Sequence, residues 1–295
     1  MSSIAVVHGR YLALAPNRAC SFIGQRTECK FCSAVLTSKE DPRKRSVDDI
    51  LETVELALGH GPIRMVYLAM GYTDSEDHGI AELEPYIRAI KRNFDVLVGV
   101  DCLPPETDEW IDRTYAMGVD ALSYNVEVWD PDRFEEICPG LHEALGQDRF
   151  LQALSYAAEI FPKGAVACHL IVGLDDPAST CDGIDWLTQR SIVPILPLFR
   201  PFKGLDMRDS DRPIPTVDEV APIYGYLYQS LKQQNVPMGW VRDISVVTTP
   251  VEGRFFVGEE VRLKGFLRGL LNTGLGRRAA AGLSDLRRSL RVREA

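Results

Sequence analysis

Long apolar runs are absent from this sequence. Its 295 residues include no stretch of about 18 apolar residues, which is the length that a membrane-spanning helix needs. The first residues lack the basic start and long apolar segment of a secretory signal peptide. No Gly-x-Gly-x-x-Gly pattern follows a predicted strand, so a dinucleotide-binding site has no support. We therefore expect a cytoplasmic protein that binds no membrane.

Positive charge is also scarce. The chain has 33 Lys and Arg against 42 Asp and Glu, which gives a net charge of -9. An acidic surface repels a phosphate backbone, so we expect no nucleic-acid partner. The segment from residue 262 differs, because it holds nine basic and two acidic residues with apolar residues at helical spacing. We interpret it as a helix docked on the acidic body with a solvated basic face. Contact with an acidic partner, RNA or a membrane surface is the alternative.

Predicted strands and helices alternate along the chain. The predicted strands cover residues 62–70, 94–100, 119–126, 165–172 and 192–199, and the predicted helices cover 46–58, 80–92, 106–117, about 147–161 and about 180–190. Repeated β-then-α units are typical of a parallel sheet with right-handed crossovers. About six such units favour an α/β barrel over an open nucleotide-binding sheet.

The seven cysteines divide into a cluster and four scattered residues. Their odd number and the lack of an export signal argue against a disulfide framework. Cys20, Cys29 and Cys32 follow the pattern Cys-x8-Cys-x2-Cys. A structural zinc site takes four ligands, and no histidine is close enough in sequence to be the fourth. A [4Fe-4S] cluster bound by three cysteines instead leaves one iron open to a small chelating molecule.

Two other interpretations of the clustered cysteines stay open. Cys29 and Cys32 could form a thioredoxin-like redox pair, although they lead no compact βαβ unit of that type and Cys20 would have no role. All three could also be structural residues without chemistry. The scattered cysteines are spaced too evenly for a second cluster, and we interpret them as buried, inert thiols. They are Cys102, Cys138, Cys168 and Cys181.

The cysteine motif resembles that of the radical S-adenosylmethionine (radical SAM) superfamily. In both, three cysteines lie in a loop after an N-terminal strand, and an aromatic residue, here Phe31, lies inside the last Cys-x2-Cys. The common family spacing is Cys-x3-Cys-x2-Cys, so this chain differs in its first interval. The resemblance covers roughly residues 8–210. Within the superfamily, the sequence resembles the branch of biotin synthase and lipoyl synthase, and also an uncharacterised nitrilase-associated group.

Three further motifs resemble SAM-binding segments of the family. An early strand ends in a turn similar in position to the one that receives the amino group of SAM, although the usual Gly-Gly-Glu is missing. That turn is Gly71, Tyr72 and Thr73. Asn125 and Glu127 resemble the Asn-x-Asp/Glu strand of biotin synthase and lipoyl synthase, and they point to one face of their strand. Arg149, at a helix start after a Pro-Gly pair, is similar to an arginine of lipoyl synthase.

The resemblance implies a fold and a mechanism. The fold is a partial TIM barrel, (β/α)6, at residues 1–250, with a leading segment at 1–16 and a cluster loop at 17–35, followed by a helical, basic extension at 251–295. Cys20, Cys29 and Cys32 would hold a [4Fe-4S] cluster whose open iron binds S-adenosyl-L-methionine. Reductive cleavage of SAM would start radical chemistry on a small-molecule substrate. An electron donor such as flavodoxin or ferredoxin is implied as a partner.

Three residues are predicted to contact the substrate. Asp101 and Arg200 fall at the carboxyl ends of strands, where barrel active sites gather, and the Arg200 guanidinium suits a carboxylate. His169 lies on an apolar strand and faces either the core or the substrate. The alternative to an enzyme is a non-catalytic iron-sulfur or thiol-based redox-sensing or metal-binding protein. Such a protein has no use for the predicted SAM-binding side chains.

Overall fold

One seven-stranded sheet organises the protein. The computed structural model describes residues 5–17, 19–34, 44–201, 214–239, 249–258 and 274–294. The strands stand in the sheet in sequence order, the first pair antiparallel and every later pair parallel. They are β1 (Ala5–His8), β2 (Tyr11–Leu14), β3 (Met65–Ala69), β4 (Leu97–Asp101), β5 (Ala121–Ser123), β6 (Val166–His169) and β7 (Val193–Ile195).

Helices follow each of the six parallel strands, β2 to β7. They are α1 (Val47–His60), α2 (Ile80–Asn93), α3 (Glu109–Met117), α4 (Pro131–Ile137), α5 (Pro139–Ala144), α6 (Gly146–Ile160), α7 (Pro177–Gln189) and α8 (Val217–Gln233). A 3-10 helix at Glu252–Val257 and a last helix, α9 (Gly274–Glu294), come after them. The sheet curls into a half-barrel with the helices around it, which confirms the predicted partial (β/α)6 barrel.

The core lies on both faces of the central strands. Met65 and Val66 of β3 point to opposite faces of the sheet, as do Ala121 and Leu122 of β5, and all four residues are completely buried. A parallel sheet covered on both faces needs such near-continuous apolar strands, because neither face meets water. The helices α1 and α8 begin with reciprocal side-chain caps that satisfy their first N–H groups, in α1 between Ser46 and Asp49. Sequence periodicity and capping therefore account for the elements that hold the barrel together.

All five predicted strands are shorter in the structure, two of them with a clear cause, and the leading segment contains strands of its own. The predicted strand at 119–126 stops at Ser123 and resumes as a single bridge between Glu127 and Leu170, because Glu127 has a left-handed backbone with φ of +67°. The strand at 192–199 stops at Ile195, before Pro197, which has no N–H to donate to the ladder. The leading segment contains the β1–β2 hairpin, and β2 is the first barrel strand.

The C-terminal helix α9 is docked on the amino-terminal end of the barrel. Arg288 Nη2 lies 2.6 Å from Oδ1 of Asp120, a completely buried carboxylate just before β5, and Ser284 Oγ donates to the same oxygen. Lys91 of α2 contacts both Asp120 and Asp285 of α9. These contacts agree with the interpretation of the basic segment as a helix docked on the acidic body. They lie at the end of the barrel opposite to the carboxyl ends of the strands.

Part of the basic extension falls outside the described residues, including Arg262, Lys264 and Arg268. The division of the chain at residue 251 stays a prediction. Within the described segments, no helix combines the length and the apolar character that crossing a bilayer requires.

Candidate functional site

A cavity of about 540 Å³ opens at the carboxyl ends of β2 to β5. Its wall brings together one loop, residues 19–34, and the segments that follow these strands. Eight of the predicted site residues line it: Cys20, Cys29, Cys32, Gly71, Tyr72, Asp101, Asn125 and Glu127. This is the end of a parallel barrel at which active sites are built, and the volume suits a small ligand.

The loop that carries the three cysteines, residues 19–34, is called here the cysteine loop. It packs directly on the turn after β3: Ser21 N–H donates to the carbonyl of Tyr72 at 2.9 Å. A Cβ atom on Gly71 would lie 2.6 Å from both the Ala19 carbonyl oxygen and the Cys20 Cβ. Only glycine permits this approach, so Gly71 sets the position of the first cysteine.

The three thiols lie on the wall of the cavity, and each of the three residues is partly buried. Burial raises the pKa of Cys20, and the neighbouring Cys29 thiol raises it further. Burial, with smaller contributions from Cys29, Cys20 and Glu127, raises the pKa of Cys32 to about 11. A hydrogen bond with the Cys138 thiol, followed by burial, raises the pKa of Cys29 well above its ordinary value. Each thiol therefore keeps its proton until a cation displaces it.

A carboxyl pair faces the cysteines across the cavity. Glu127 has an Oε2 atom that is buried without a hydrogen-bond partner, and burial together with Asp101 raises its pKa to about 8. Burial raises the pKa of Asp101 to about 7. An unpartnered buried carboxyl is costly, so the side chain of Glu127 is suited to receive a ligand group.

Asn125 joins three strands at this point. Its Nδ2 donates to Asp101 Oδ1 at 2.9 Å, while its Oδ1 accepts from Ser123 Oγ at 2.6 Å and from the His169 N–H at 3.0 Å. These bonds set the orientation of the amide. They also explain why the predicted strand pauses here, since the side chain replaces ladder contacts between β5 and β6.

Two predicted SAM contacts lie outside the cavity wall. Thr73 Oγ1 hydrogen-bonds Ser75 Oγ at 2.9 Å. Arg149 Nε donates to the Pro105 carbonyl at 2.7 Å, and its Nη2 lies 2.9 Å from Asp108 Oδ1. Arg149 therefore ties the start of α6 to the loop after β4, and its role toward SAM stays a prediction.

Of the three predicted substrate contacts, Asp101 alone is part of the described cavity wall. The His169 Nε2 atom is buried without a hydrogen-bond partner, and burial lowers the pKa of its imidazole to about 4, so the ring is neutral at physiological pH. Arg200 is exposed to solvent at the end of the segment that follows β7. The roles of His169 and Arg200 stay predictions.

The sequence of the barrel matches one known family. Residues 16–177, more than half of the chain, match the Radical SAM superfamily. The protein belongs to the radical SAM superfamily. Membership implies an iron-sulfur cluster and S-adenosylmethionine as cofactors.

Individual relatives of this radical SAM protein are distant. The bacteriochlorophyllide c C-7(1)-hydroxylase of Chlorobaculum limnaeum is 24% identical over 127 residues, which are 41% of this chain and 32% of the hydroxylase. The chain thus spans about a third of that relative's length. The hydroxylation in that relative's name is an activity of a longer protein, of which this chain matches about a third.

Solved structures share the fold. Methylornithine synthase (PylB) superposes with a TM-score of 0.58 at 14% identity, covering 79% of this chain and 64% of its own. The [FeFe]-hydrogenase maturase HydG from Carboxydothermus hydrogenoformans gives a TM-score of 0.61 at 18% identity, covering 77% and 53%. A radical SAM methyltransferase from Sphaerobacter thermophilus gives 0.56 at 12% identity, covering 79% and 67%. Identities this low show a common fold alone.

The residues of the cavity fit the cofactors that the family implies. Soft thiolates are the preferred ligands of iron-sulfur clusters, and Cys20, Cys29 and Cys32 line the same cavity. In the described part of the chain no three His, Cys, Asp or Glu side chains converge on a single metal ion. A cubane cluster does not require that, because each of its cysteines binds a different iron. The orphaned Glu127 oxygen and the carboxyl of Asp101 suit the positive charges of SAM.

One neighbour of the clustered cysteines is not apparent from the sequence. Cys138 is completely buried, as predicted, and its thiol raises the pKa of Cys29. The two residues lie more than a hundred positions apart, and no local pattern connects them. Only the packing of the cysteine loop on α4 and α5 shows that Cys29 and Cys138 are neighbours.

Proposed function

We propose that this protein cleaves SAM reductively with a [4Fe-4S] cluster and starts radical chemistry on a small-molecule substrate. One observation carries the proposal: three cysteines and an orphaned buried carboxyl, that of Glu127, line one cavity at the active end of a radical SAM barrel. When bound, the cluster supplies the electron that splits SAM into methionine and a 5'-deoxyadenosyl radical, which takes a hydrogen atom from the substrate.

The cysteine loop would hold the cluster. Cys20, Cys29 and Cys32 bind iron as thiolates, so each thiol gives up its proton on binding. The three residues are partly buried, which would limit the access of water to the cluster and to a reactive intermediate. Gly71 keeps the loop against the barrel, because any side chain there would push Cys20 away.

The carboxyl pair would orient SAM and substrate. Glu127 would accept a hydrogen bond from SAM, and the positive charge of SAM would lower the pKa of Glu127 from about 8, so its charged form would prevail in the complex. Asn125 holds Asp101 toward the cavity. Gly71, Tyr72 and Thr73 would form the turn beside the amino group of SAM. Arg149 would hold the start of α6 in place through its contacts with the loop after β4.

The cavity wall restricts the substrate. It contains two carboxyls, Asp101 and Glu127, and no Lys, Arg or His among its described residues. An anionic substrate would be repelled, so we propose a substrate that is uncharged or cationic, with Asp101 as its contact. Contacts from His169 and Arg200 would require an approach from outside this wall. A cytoplasmic location and a reduced flavodoxin or ferredoxin as electron donor complete the proposal.

Anaerobic reconstitution with iron and sulfide tests the proposal. We expect about four irons per chain. Addition of dithionite and SAM should then release 5'-deoxyadenosine. Cys20→Ala, Cys29→Ala or Cys32→Ala should each abolish the cluster absorbance, whereas Cys181→Ala, a half-buried cysteine outside the cavity wall, should retain it.

Each alternative outcome has a clear meaning. A cluster that forms without any 5'-deoxyadenosine would favour the iron-sulfur redox sensor. A Cys29→Ala protein with unchanged iron content would refute the assignment of the ligands. About eight irons per chain, twice the content of one cube, would indicate a second cluster on the remaining cysteines.

A further inference from the structure

The last helix, α9, carries two stripes of side chains with the same spacing. The first stripe is buried against the barrel and consists of Ala281, Ser284 and Arg288. The second stripe follows the first by two residues, is between 55% and 66% exposed, and consists of Leu283, Leu286 and Leu290. Two residues turn an α-helix by about 200°, so the leucines lie opposite to the docked stripe. Docking on the barrel therefore accounts for one face of α9 and leaves an apolar stripe in water.

The three leucines form one wall of a groove of about 940 Å³, called here the leucine groove. Its other wall comes from the barrel, where Arg64 lies just before β3 and Leu97 is the first residue of β4. Single apolar side chains on a surface need no explanation, whereas a contiguous apolar groove marks an interaction site. The groove lies at the amino-terminal end of the barrel, so an occupant would leave the cavity with the cysteine loop open.

Basic side chains border the leucine groove. The arginines that line it are Arg64, Arg287 and Arg291. Arg291 donates to the backbone carbonyl of Glu159 at 2.7 Å, but none of the three forms an ion pair with a described carboxylate, and the described lining contains no Asp or Glu. On the docked face, by contrast, Arg288 lies 2.6 Å from Asp120. The positive charge of the groove therefore complements an anionic occupant.

Charge and shape distinguish the kinds of occupant. A second copy related by two-fold symmetry would place the groove against itself, so that arginines would face arginines. An anionic membrane attracts arginines, but the whole chain has a net charge of -9, and a flat lipid surface does not fill a groove with two walls. A helix inserts apolar side chains at i, i+3 and i+7 into such a groove and can carry acidic residues beside them.

We propose that the leucine groove docks an acidic amphipathic helix of another protein. The apolar residues of that helix pack between the three leucines, and its Asp or Glu side chains pair with the three arginines. The leucines have the spacing of positions a, d and a of a heptad, where charges that flank the apolar seam select the partner. The inference does not rest on the proposed function, because none of the groove residues lines the cavity that would bind SAM.

Two synthetic helical peptides test the inference. Both carry leucine at heptad positions a and d and a fluorophore, and they differ only in having Glu or Lys at the flanking positions. Fluorescence anisotropy measures their binding to the full chain at about 50 mM and about 500 mM salt. The Glu peptide should bind saturably and about tenfold more tightly than the Lys peptide at low salt. Most of that difference should disappear at high salt, because exposed ion pairs are screened.

Substitutions in the groove separate the apolar from the ionic contribution. Leu286→Ala should weaken binding of the Glu peptide about tenfold at both salt concentrations, which corresponds to about 1.4 kcal/mol, because less apolar area is buried on binding. Arg287→Glu should weaken it about tenfold at low salt and about twofold at high salt. Phe255→Ala, at a position that is 60% exposed outside the groove, is the control and should bind as the wild type does.

Each other result would overturn the inference. The wild type would then fail to bind the Glu peptide saturably, or Leu286→Ala would bind it as tightly as the wild type. Sedimentation of the wild type, but not of Leu286→Ala, with vesicles of equal parts phosphatidylcholine and phosphatidylglycerol would assign the groove to a membrane instead. A dimer in sedimentation velocity that Leu286→Ala dissociates would assign the groove to a second copy of the chain.

Discussion

Glu127→Gln should stabilise the metal-free protein at high pH while it weakens SAM binding. The substitution keeps the shape of the side chain and removes its charge. Burial and Asp101 raise the pKa of Glu127 to about 8 in the folded protein, whereas an unfolded glutamate has an ordinary value of 4.5. The folded state thus holds a proton that the unfolded state has released. The protein therefore has its full stability with respect to Glu127 below pH 4.5, and the free energy of unfolding falls as the pH rises toward and through about 8.

The size of the effect follows from the two pKa values. Linkage between about 4.5 and about 8 makes Glu127 cost the fold roughly 1.5 kcal/mol at about pH 5.5 and roughly 4.5 kcal/mol at about pH 8.5. Glutamine has no such dependence. We therefore expect the free energy of unfolding of Glu127→Gln, relative to that of the wild type, to rise by about 3 kcal/mol between these two pH values. The same change should weaken SAM binding to the reconstituted protein about 10- to 150-fold, because a charge-assisted contact is lost.

Urea unfolding of the metal-free protein at both pH values measures the stability difference, and equilibrium binding to the reconstituted protein measures the SAM affinity. Glu52→Gln, at an exposed position of α1, is the matched control and should change neither. A stability difference between Glu127→Gln and wild type that stays the same at both pH values would refute the assigned burial of Glu127. Equal SAM affinity in the two proteins would refute its role as a ligand contact.

Three other substitutions test the surroundings of the site. Gly71→Ala should lower the iron content after reconstitution, since its Cβ collides with the cysteine loop, whereas Gly59→Ala, with no atom within 4 Å of the added Cβ, should not. Asp101→Asn should keep the cluster and SAM cleavage but lose any stimulation by the true substrate in a 5'-deoxyadenosine assay. Arg288→Ala leaves a buried carboxylate poorly compensated and should cost about 3 kcal/mol in urea unfolding. The exposed Arg278→Ala should cost less than about 1 kcal/mol, because its ion pair lies in water.

Local sequence patterns were sufficient to predict the barrel and to group the three clustered cysteines. Apolar strands and capped helices repeat along the chain, and those patterns are set by neighbours within a few residues. Cys20, Cys29 and Cys32 lie close in sequence, so a single loop carries all three to one cavity. Asn125 and Glu127 both line this cavity, but the strand predicted to carry them stops at Ser123, so alternation along a strand does not account for their position.

Long-range contacts account for what the sequence analysis did not predict. Arg149 has the position expected of a SAM contact, yet its guanidinium bonds Asp108, 41 residues away. Asn125 orients Asp101 only because β4 and β5 pair in a particular register. The contact of Cys138 with Cys29 likewise depends on how the cysteine loop lies on α4. Each of these contacts depends on how the whole chain folds, so the periodicity of a single segment does not predict it.

The electrostatics of the cavity link the two cofactors to one another. The pKa values of three thiols and two carboxyls are all raised, and burial is the first cause for each except Cys29, where the Cys138 bond comes first. The two carboxyls therefore hold protons at a pH at which solvent-exposed carboxyls would have released them. Iron and SAM both bring positive charge, so each binds in exchange for protons and each favours the charged state of its neighbours. Glu127 contributes to the raised pKa of both Cys29 and Cys32, so a SAM cation bound at Glu127 would also offset that repulsion at the cluster ligands. The same carboxyl that destabilises the metal-free fold would therefore couple SAM binding, in the proposed function, to the state of the cysteine loop.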